Sequence, residues 1–157
     1  MGRHPRWTRS LFSESDFEAI AAAVGAAEAA TSAEIRVHLE RRMRRPRGAG
    51  PGDALERARQ VFAQLGMHQT ALRHGVLIYL AIDDHKVAIM GDEGIHALVG
   101  GEYWAGIRDL MVERLRRGEA RAGLVDAVGE LGRSLARHFP RRPDDTNELS
   151  NTVSVEP

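Results

Sequence analysis

The first part of the chain changes from a helical to a strand pattern of apolar residues. Residues 17–27 carry apolar side chains at helical spacing, which predicts a first helix. Ser15 and Glu18 have the spacing of a capping box at its start. Residues 34–40 alternate apolar and polar side chains. They therefore predict a strand that is buried on one face and carries His38 on its polar face.

A second helix and two further strands follow an arginine-rich loop at residues 41–52. Asp53 is the predicted cap of this helix, and residues 55–65 supply its buried stripe. Residues 76–82 and 87–90 are apolar on both alternating faces, as in strands that are covered on two sides. The turn between these strands is too short for a parallel crossover, so they form an antiparallel hairpin.

The order of these elements predicts the fold class. A strand, a helix and a second strand form a right-handed crossover, so the first two strands are parallel. Together with the hairpin, this gives a three-layer α/β/α sandwich around a small mixed sheet. The C-terminal half is helical, with a short helix at residues 94–99, a longer one over residues 103–115 and a last one over residues 124–139 that Pro140 closes.

Composition fits one domain of ordinary globular type. Of the 157 residues, 43% are hydrophobic and 28% are charged. We assign residues 1–12 to a basic N-terminal extension, residues 13–142 to a single domain and residues 143–157 to an acidic tail without regular structure. No stretch approaches the roughly 18–20 apolar residues of a membrane helix, and no signal-peptide run follows the basic N-terminus, so we expect a cytoplasmic location.

Cysteine content and charge exclude several classes of function. The absence of cysteine removes thiol catalysis, cysteine-ligated zinc, iron–sulfur clusters and disulfides. Twenty-two basic and 22 acidic residues cancel, so no global field draws the chain to nucleic acid or to an anionic membrane. Lys86 is the only lysine, which excludes a lysine nucleophile elsewhere.

The predicted topology gathers acidic residues at one edge of the sheet. The starts of the first two strands and the end of the third share that edge, because the third strand runs back. Glu34, Asp92 and Glu93 are candidate metal ligands there, since carboxylate oxygens suit Ca²⁺ or Mg²⁺.

The same edge collects residues that suit an anion. Arg73 can grip an oxyanion through two parallel hydrogen bonds, and Thr70 and His74 are further candidate anion-binding residues beside it. Asp92 and Arg73 are accordingly the candidate catalytic residues. These charged residues could instead have a purely structural role, and chemistry alone favours that interpretation. Charge clusters of this kind are usually ion pairs that tie loops together, and an acid before a helix is more often a cap than a ligand.

The opposite edge is basic. Residues 83–86 read as an ordinary hairpin turn with too few carboxylates for a metal. The arginines of residues 41–47 could neutralise phosphates, which makes nucleic-acid binding a third hypothesis. The loop has no interleaved aromatic residues to stack bases, so we expect no nucleic-acid partner.

Several segments match a family pattern in order and spacing. They are TSAEI at 31–35, LGMHQT at 65–70, RHGVLIYLA at 73–81, AIMGDEGI at 88–95, Trp104, Phe139-Pro140 and Asn147-Glu148-Leu149. On these segments the chain resembles a TPM domain from about residue 12 to residue 149. The family pattern usually has Gly at the position of Ala33 and Asn at that of His74, and both positions flank the polar edge.

The resemblance implies an α/β sandwich and a range of activities. The TPM family includes a thylakoid-lumen protein described as an acid phosphatase, a photosystem II repair factor and a nematode modulator of acetylcholine receptors. Many of its members carry membrane spans. Because a shared fold does not imply a shared activity, the resemblance supports the fold more strongly than it supports a transfer of site residues.

Two functional hypotheses follow. The leading one is a non-catalytic binding or assembly module that acts with a partner protein or a membrane complex. It rests on the missing nucleophile, the absence of a dense carboxylate cluster and the varied roles of the family. The alternative is a divalent-metal-dependent acid phosphatase that holds its metal with Glu34, Asp92 and Glu93 and the phosphate with Arg73.

Overall fold

The structure, a computed structural model, describes residues 12–43, 54–67, 75–82, 84–141 and 153–156. Its elements are α1 (Glu14–Glu28), β1 (Glu34–Glu40), α2 (Ala54–Gln64), β2 (Gly75–Ala81), β3 (Lys86–Gly91), α3 (Glu93–Arg116), α4 (Ala120–His138) and β4 (Ser154–Glu156). Among the described residues, no helix is both long and apolar enough to cross a membrane.

One mixed sheet contains the four strands of the described residues, in the order β3–β2–β1–β4. β1 is parallel to β2 and to β4, whereas β2 and β3 are antiparallel. The predicted parallel pairing of the first two strands and the predicted antiparallel hairpin are therefore both confirmed.

Helices cover both faces of this sheet. Ile35, Val37 and Leu39 of β1 belong to a core shared with α1, α3 and α4, and Leu77 and Tyr79 of β2 belong to a second core shared with α2. Successive strand residues point to opposite faces, so β2 and β3 each contribute to both cores. The structure thus confirms the α/β fold class and its three layers.

β1 differs from its prediction as a half-buried strand. All of its residues are buried except Arg36, which is half-buried. β1 lies between β2 and β4, and the second core covers the face that carries its polar residues. His38 is therefore buried and does not lie on a solvent-facing side.

The C-terminal tail also differs from its prediction. Regular structure was not expected after Arg142, but residues 154–156 form β4 along the second half of β1. Val153 is buried in the larger core and Val155 packs against it, and these contacts hold β4 to the sheet. Three residues are too few for a periodic pattern to predict a strand.

The helices correct the predictions in two further details. The capping box of α1 consists of Ser13 and Asp16, two residues before the predicted pair of Ser15 and Glu18. α3 is one continuous helix instead of the predicted short and long helices. Burial of Ile95 and Trp104 offsets the helix-weakening glycines between them, because tertiary packing overrides intrinsic propensity. The predicted cap Asp53 lies outside the described residues.

The end of β3 and the start of α3 pack together at Gly91. A Cβ atom at this position would lie 2.5 Å from Cζ2 of Trp104 and 3.1 Å from Cγ2 of Ile95. Because Trp104 is buried, its rigid ring has little room to move away. The contact requires glycine at the point where the chain leaves the sheet for α3.

We expect Gly91→Ala to lower the free energy of unfolding by about 1–3 kcal/mol, the usual cost of overpacking a core. Gly106→Ala on α3 is the matched control, since a Cβ there meets nothing within 4 Å. The control should instead stabilise the protein, because alanine is the better helix former. Urea unfolding of both variants checks this, and equal stability changes would contradict the packing argument.

Candidate functional site

The register of the sheet defines one shared edge. Glu34 of β1 pairs with Gly75 of β2, and Val76 of β2 pairs with Gly91 of β3. The N–H of Asp92 donates to the carbonyl of Gly75 at 2.8 Å. The starts of β1 and β2 and the end of β3 thus meet, as the predicted topology requires.

Two of the predicted metal ligands lie on this edge. The side chains of Glu34 and Asp92 are each 6% exposed. One strand separates them, so their Cα atoms are two ladder spacings, roughly 10 Å, apart. We call this part of the molecule, defined by Glu34 and Asp92, the acidic edge.

Several other predicted site residues cannot be placed. Thr70, Arg73 and His74 lie outside the described residues. Glu93 is the first residue of α3, but the structure does not describe its side chain. In the part of the chain that the structure describes, no group of three or more His, Asp or Glu side chains is arranged to hold a metal ion. The full ligand set therefore stays a prediction.

Thr31 and Ser32, which precede the acidic edge, have structural roles. The Thr31 hydroxyl donates to the carbonyl of Phe139, and the Ser32 N–H donates to the same oxygen at 2.9 Å. These bonds fasten the segment between α1 and β1 to the end of α4. They fix the position at which β1 begins.

Glu28 is a buried acid that the sequence analysis missed. It ends α1, is 4% exposed, and accepts a hydrogen bond from the Ile35 N–H at 2.7 Å through Oε1. Burial raises the pKa of Glu28 from 4.5 to about 7; the Ile35 hydrogen bond opposes this rise, and the nearby charge of Glu34 adds to it. The available signal was its position four residues after Val24, on the apolar stripe of α1.

The Glu28 carboxyl group also lies beside the first half of β1, along which β4 does not extend. β4 pairs only with residues 38–40, whereas the Ile35 N–H bonds to the Glu28 carboxyl group. A side chain that takes up a strand N–H protects that strand from pairing with another chain. Arg141 reinforces the position by donating to the Glu28 carbonyl at 3.1 Å.

A buried ion pair lies under the other half of β1. Arg57 of α2 donates to both carboxylate oxygens of Glu40, with Nη2 to Oε2 at 2.7 Å. The Tyr79 hydroxyl donates to Oε1 of Glu40 at 3.3 Å. Burial, followed by the charge of Glu40, raises the pKa of Tyr79. This network joins α2 to the sheet, and the strand pattern alone gave no sign of it.

His38 lies between this network and β4. Its Nδ1 is 2.6 Å from the Ser154 hydroxyl, and its ring stacks on Tyr79 with 6.3 Å between the ring centroids. Burial lowers the pKa of His38 from 6.5 to about 4, although Glu40 opposes this shift. The imidazole is therefore neutral at pH 7, and it holds the C-terminal strand.

The basic edge is described only in part. Arg41 and Arg42 are exposed, and the Met43 N–H donates to Oδ2 of Asp84 at 2.6 Å, which ties the loop to the hairpin. Asp83 and the arginines of residues 44–47 lie outside the described residues. Nucleic-acid binding at this edge stays an untested hypothesis.

We expect Glu28→Gln to stabilise the protein at alkaline pH. Between pH 4.5 and about 7 the folded protein keeps a proton on Glu28 that the unfolded chain has lost, so this group lowers stability as pH rises through that window. The shift of the Glu28 pKa corresponds to roughly 3 kcal/mol of unfolding free energy. The Glu28→Gln variant should gain this stability at pH 8 but not at pH 4. Urea unfolding across pH measures it, with Glu18→Gln, an exposed acid of α1, as the control. A constant difference from wild type at every pH would contradict the buried acid.

His38 should produce the opposite pH dependence. Its lowered pKa means that the unfolded chain binds more protons between about pH 4 and 6.5, so this group's contribution to stability is lost as pH falls through that window. In wild type the slopes from His38 and Glu28 oppose each other. The Glu28→Gln variant should therefore gain up to roughly 3 kcal/mol from pH 4 to 6.5. Adding His38→Phe should flatten this rise, and an unchanged slope in the double variant would contradict it.

Comparison with known proteins agrees with this architecture. A family model of the TPM domain matches residues 8–134. The NMR structure of the BA42 protein from Bizionia argentinensis is 38% identical, covers 92% of this chain and 94% of its own, and superposes with a TM-score of 0.79. No protein of curated function matches the chain.

Two more distant structures share the fold. The N-terminal domain of a protein from P. gingivalis has 19% identity and a TM-score of 0.65, covering 82% of this chain and 79% of its own. The N-terminal domain of the cg2496 protein from Corynebacterium glutamicum has 15% identity and a TM-score of 0.58, covering 86% of each chain. The family match over most of the sequence shows that the chain belongs to the TPM domain family.

Proposed function

We propose that this TPM domain is a non-catalytic binding module that serves the assembly of a protein or membrane complex and takes a divalent cation at its acidic edge. The observation that carries the proposal is the burial of Glu34 and Asp92 at two strand ends that share one edge of the sheet. Removing carboxylates from water is costly unless cations or hydrogen bonds compensate. A bound cation would add to the stabilisation that the present partners of Glu34 and Asp92 give these two side chains.

The chemistry of the acidic edge suits Ca²⁺ or Mg²⁺. Both cations prefer oxygen ligands, and Glu34 and Asp92 supply carboxylate oxygens from two strand ends. Glu28, whose pKa lies near 7, adds an acidic group close to Glu34. The predicted ligand Glu93 follows Asp92 directly in the sequence and could complete the set. Main-chain carbonyls and water would supply the remaining oxygens that these cations require.

The structural use of the other reactive groups favours binding over catalysis. The Thr31 hydroxyl donates to a main-chain carbonyl, and Tyr79 donates to Glu40. His38 pairs in register with Tyr79, four residues from Glu34 along β1. Within the described residues, these hydroxyl and imidazole groups therefore serve the packing of the sheet and its helices.

A metal-dependent acid phosphatase is the second candidate. Gly75 accepts a hydrogen bond from the Asp92 N–H and pairs in register with Glu34, so it lies at the acidic edge. Arg73 precedes Gly75 by only two residues in the sequence, and this proximity favours the phosphatase. In this candidate function Glu34, Asp92 and Glu93 hold the metal. Arg73, with Thr70 and His74, holds the phosphate.

Thermal-shift titrations with Ca²⁺, Mg²⁺ and Mn²⁺ test the cation site that both candidates share. A cation that binds only the folded protein raises its Tm by mass action. We expect a saturable rise in wild type and in Glu102→Gln, which removes an exposed acid of α3, but none in Asp92→Asn. The folded state of each variant is checked by circular dichroism.

Hydrolysis of p-nitrophenyl phosphate, measured on the same samples, decides the reaction class. Background hydrolysis together with a cation-dependent Tm supports the binding module. Metal-dependent turnover that a folded Asp92→Asn variant loses would replace it with the phosphatase. No Tm change at millimolar cation overturns the acidic edge as a cation site. The domain boundaries at residues 13 and 142 and the cytoplasmic location stay predictions.

A further inference from the structure

The outer surface of α3 and α4 carries an apolar groove that none of the preceding roles uses. Ile107 and Met111 of α3 and Ala127 of α4 form its floor, and its volume is about 520 Å³. Leu110 stands at its side and is 65% exposed, the largest exposure of any large apolar side chain in the described residues. Along the axis of α3, Ile107 lies roughly 20 Å from Asp92, so the groove is separate from the acidic edge.

The shape of this surface fits a copy of itself. A two-fold interface requires that when one residue contacts a second residue on the partner, the second also contacts the first. A protruding side chain beside a hollow meets this requirement, because each copy can place its Leu110 in the groove of the other. Both apolar features would then be buried by one symmetric contact.

The rim charges fit the same partner. Arg117 pairs with Glu113 at 3.1 Å, Arg133 pairs with Glu130 at 3.0 Å, and Arg114 bonds to Glu119 at 2.7 Å and to Asp126. Basic and acidic groups are thus paired beside the groove, and neither sign dominates. A strongly acidic or basic ligand would find no matching field here, whereas a second copy presents the same mixture.

The charge of the whole chain adds a further argument. Its 22 basic and 22 acidic residues give a formal net charge of zero, so two copies approach without long-range repulsion. Opposite signs on the two rims can then exchange partners across the two-fold axis. The exposed ion pairs contribute little energy, so the apolar contact at Leu110 must supply most of the affinity.

We propose that the chain forms a two-fold symmetric homodimer through this groove, with Leu110 of each copy seated between α3 and α4 of the other. The arrangement packs α3 and α4 of one copy against α3 and α4 of the other, so that four helices lie between the two sheets, as in other helix-packed interfaces. This inference goes beyond the proposed function and does not depend on a cation at the acidic edge.

Sedimentation velocity on the full chain, over a range of concentrations, tests the proposal. Wild type should show a reversible monomer–dimer equilibrium. Leu110→Glu should remain monomeric, and Leu110→Ala should raise the dissociation constant at least about 30-fold, as for a central interface residue. Leu55→Glu is the matched control: Leu55, 38% exposed on α2, lies on the opposite side of the sheet, and its substitution should leave the equilibrium unchanged.

The absence of cysteine allows a clean second measurement. A mixture of Leu110→Cys and Ala127→Cys chains should form a mixed disulfide under oxidation, whereas a mixture of Leu55→Cys and Ala127→Cys chains should not. A wild type that stays monomeric at every concentration overturns the proposal. So does a dimer that survives Leu110→Glu, because its interface would then lie elsewhere. Circular dichroism confirms that each variant is folded.

Discussion

The architecture depends on one constraint, which is that β1 is buried on both faces although one face carries four polar residues. β1 is a central strand, flanked by β2 and β4 and covered by helices on either side. Its polar face therefore needs partners within the protein. The Arg57 guanidinium pairs with Glu40, and the Ser154 hydroxyl forms a hydrogen bond with His38. Breaking such a buried pair leaves an uncompensated charge or polar group, so the second layer of the sandwich is tied to the chemistry of this strand.

The same constraint explains why acids accumulate at the start of β1. The carboxyl group of Glu28 takes the N–H of Ile35, and Glu34 begins the strand close beside it. Two buried acids in proximity disfavour simultaneous ionisation, which is part of the reason that the proton of Glu28 is retained at higher pH. A structural need for edge protection and a potential for cation binding thus coexist at one end of the sheet. Together they link the stability of the fold to its proposed ligand.

Much of the fold followed from the sequence because its determinants are local. The apolar runs before and after the short turn at residues 83–86 identified β2 and β3, and turn length alone fixed their antiparallel pairing. The crossover then fixed β1 parallel to β2 and brought Glu34 and Asp92 to the same edge. These features need only the period of the pattern and the handedness of connections.

The remaining features depend on contacts between distant segments. Alternation along β1 indicated a solvated face, because periodicity cannot distinguish water from a buried partner such as Arg57. Glu28 lies on an apolar stripe, but only the fold shows that the Ile35 N–H is its partner. β4 is too short for any pattern and is held by His38 and by the core around Val153. Intrinsic propensity likewise could not anticipate that packing around Trp104 would keep α3 continuous.

The position of β4 has a consequence for the order in which the protein is completed during synthesis. β4 follows every other described element along the chain, so the ribosome produces β1, β2 and β3 before the strand that covers the second half of β1. Until Ser154 emerges, the growing chain presents residues 38–40 as an open strand edge, the kind of surface that recruits other chains. A nascent chain released upstream of Ser154 would keep that edge. Residues 38–40 of β1 are therefore protected only after β4 has been synthesised.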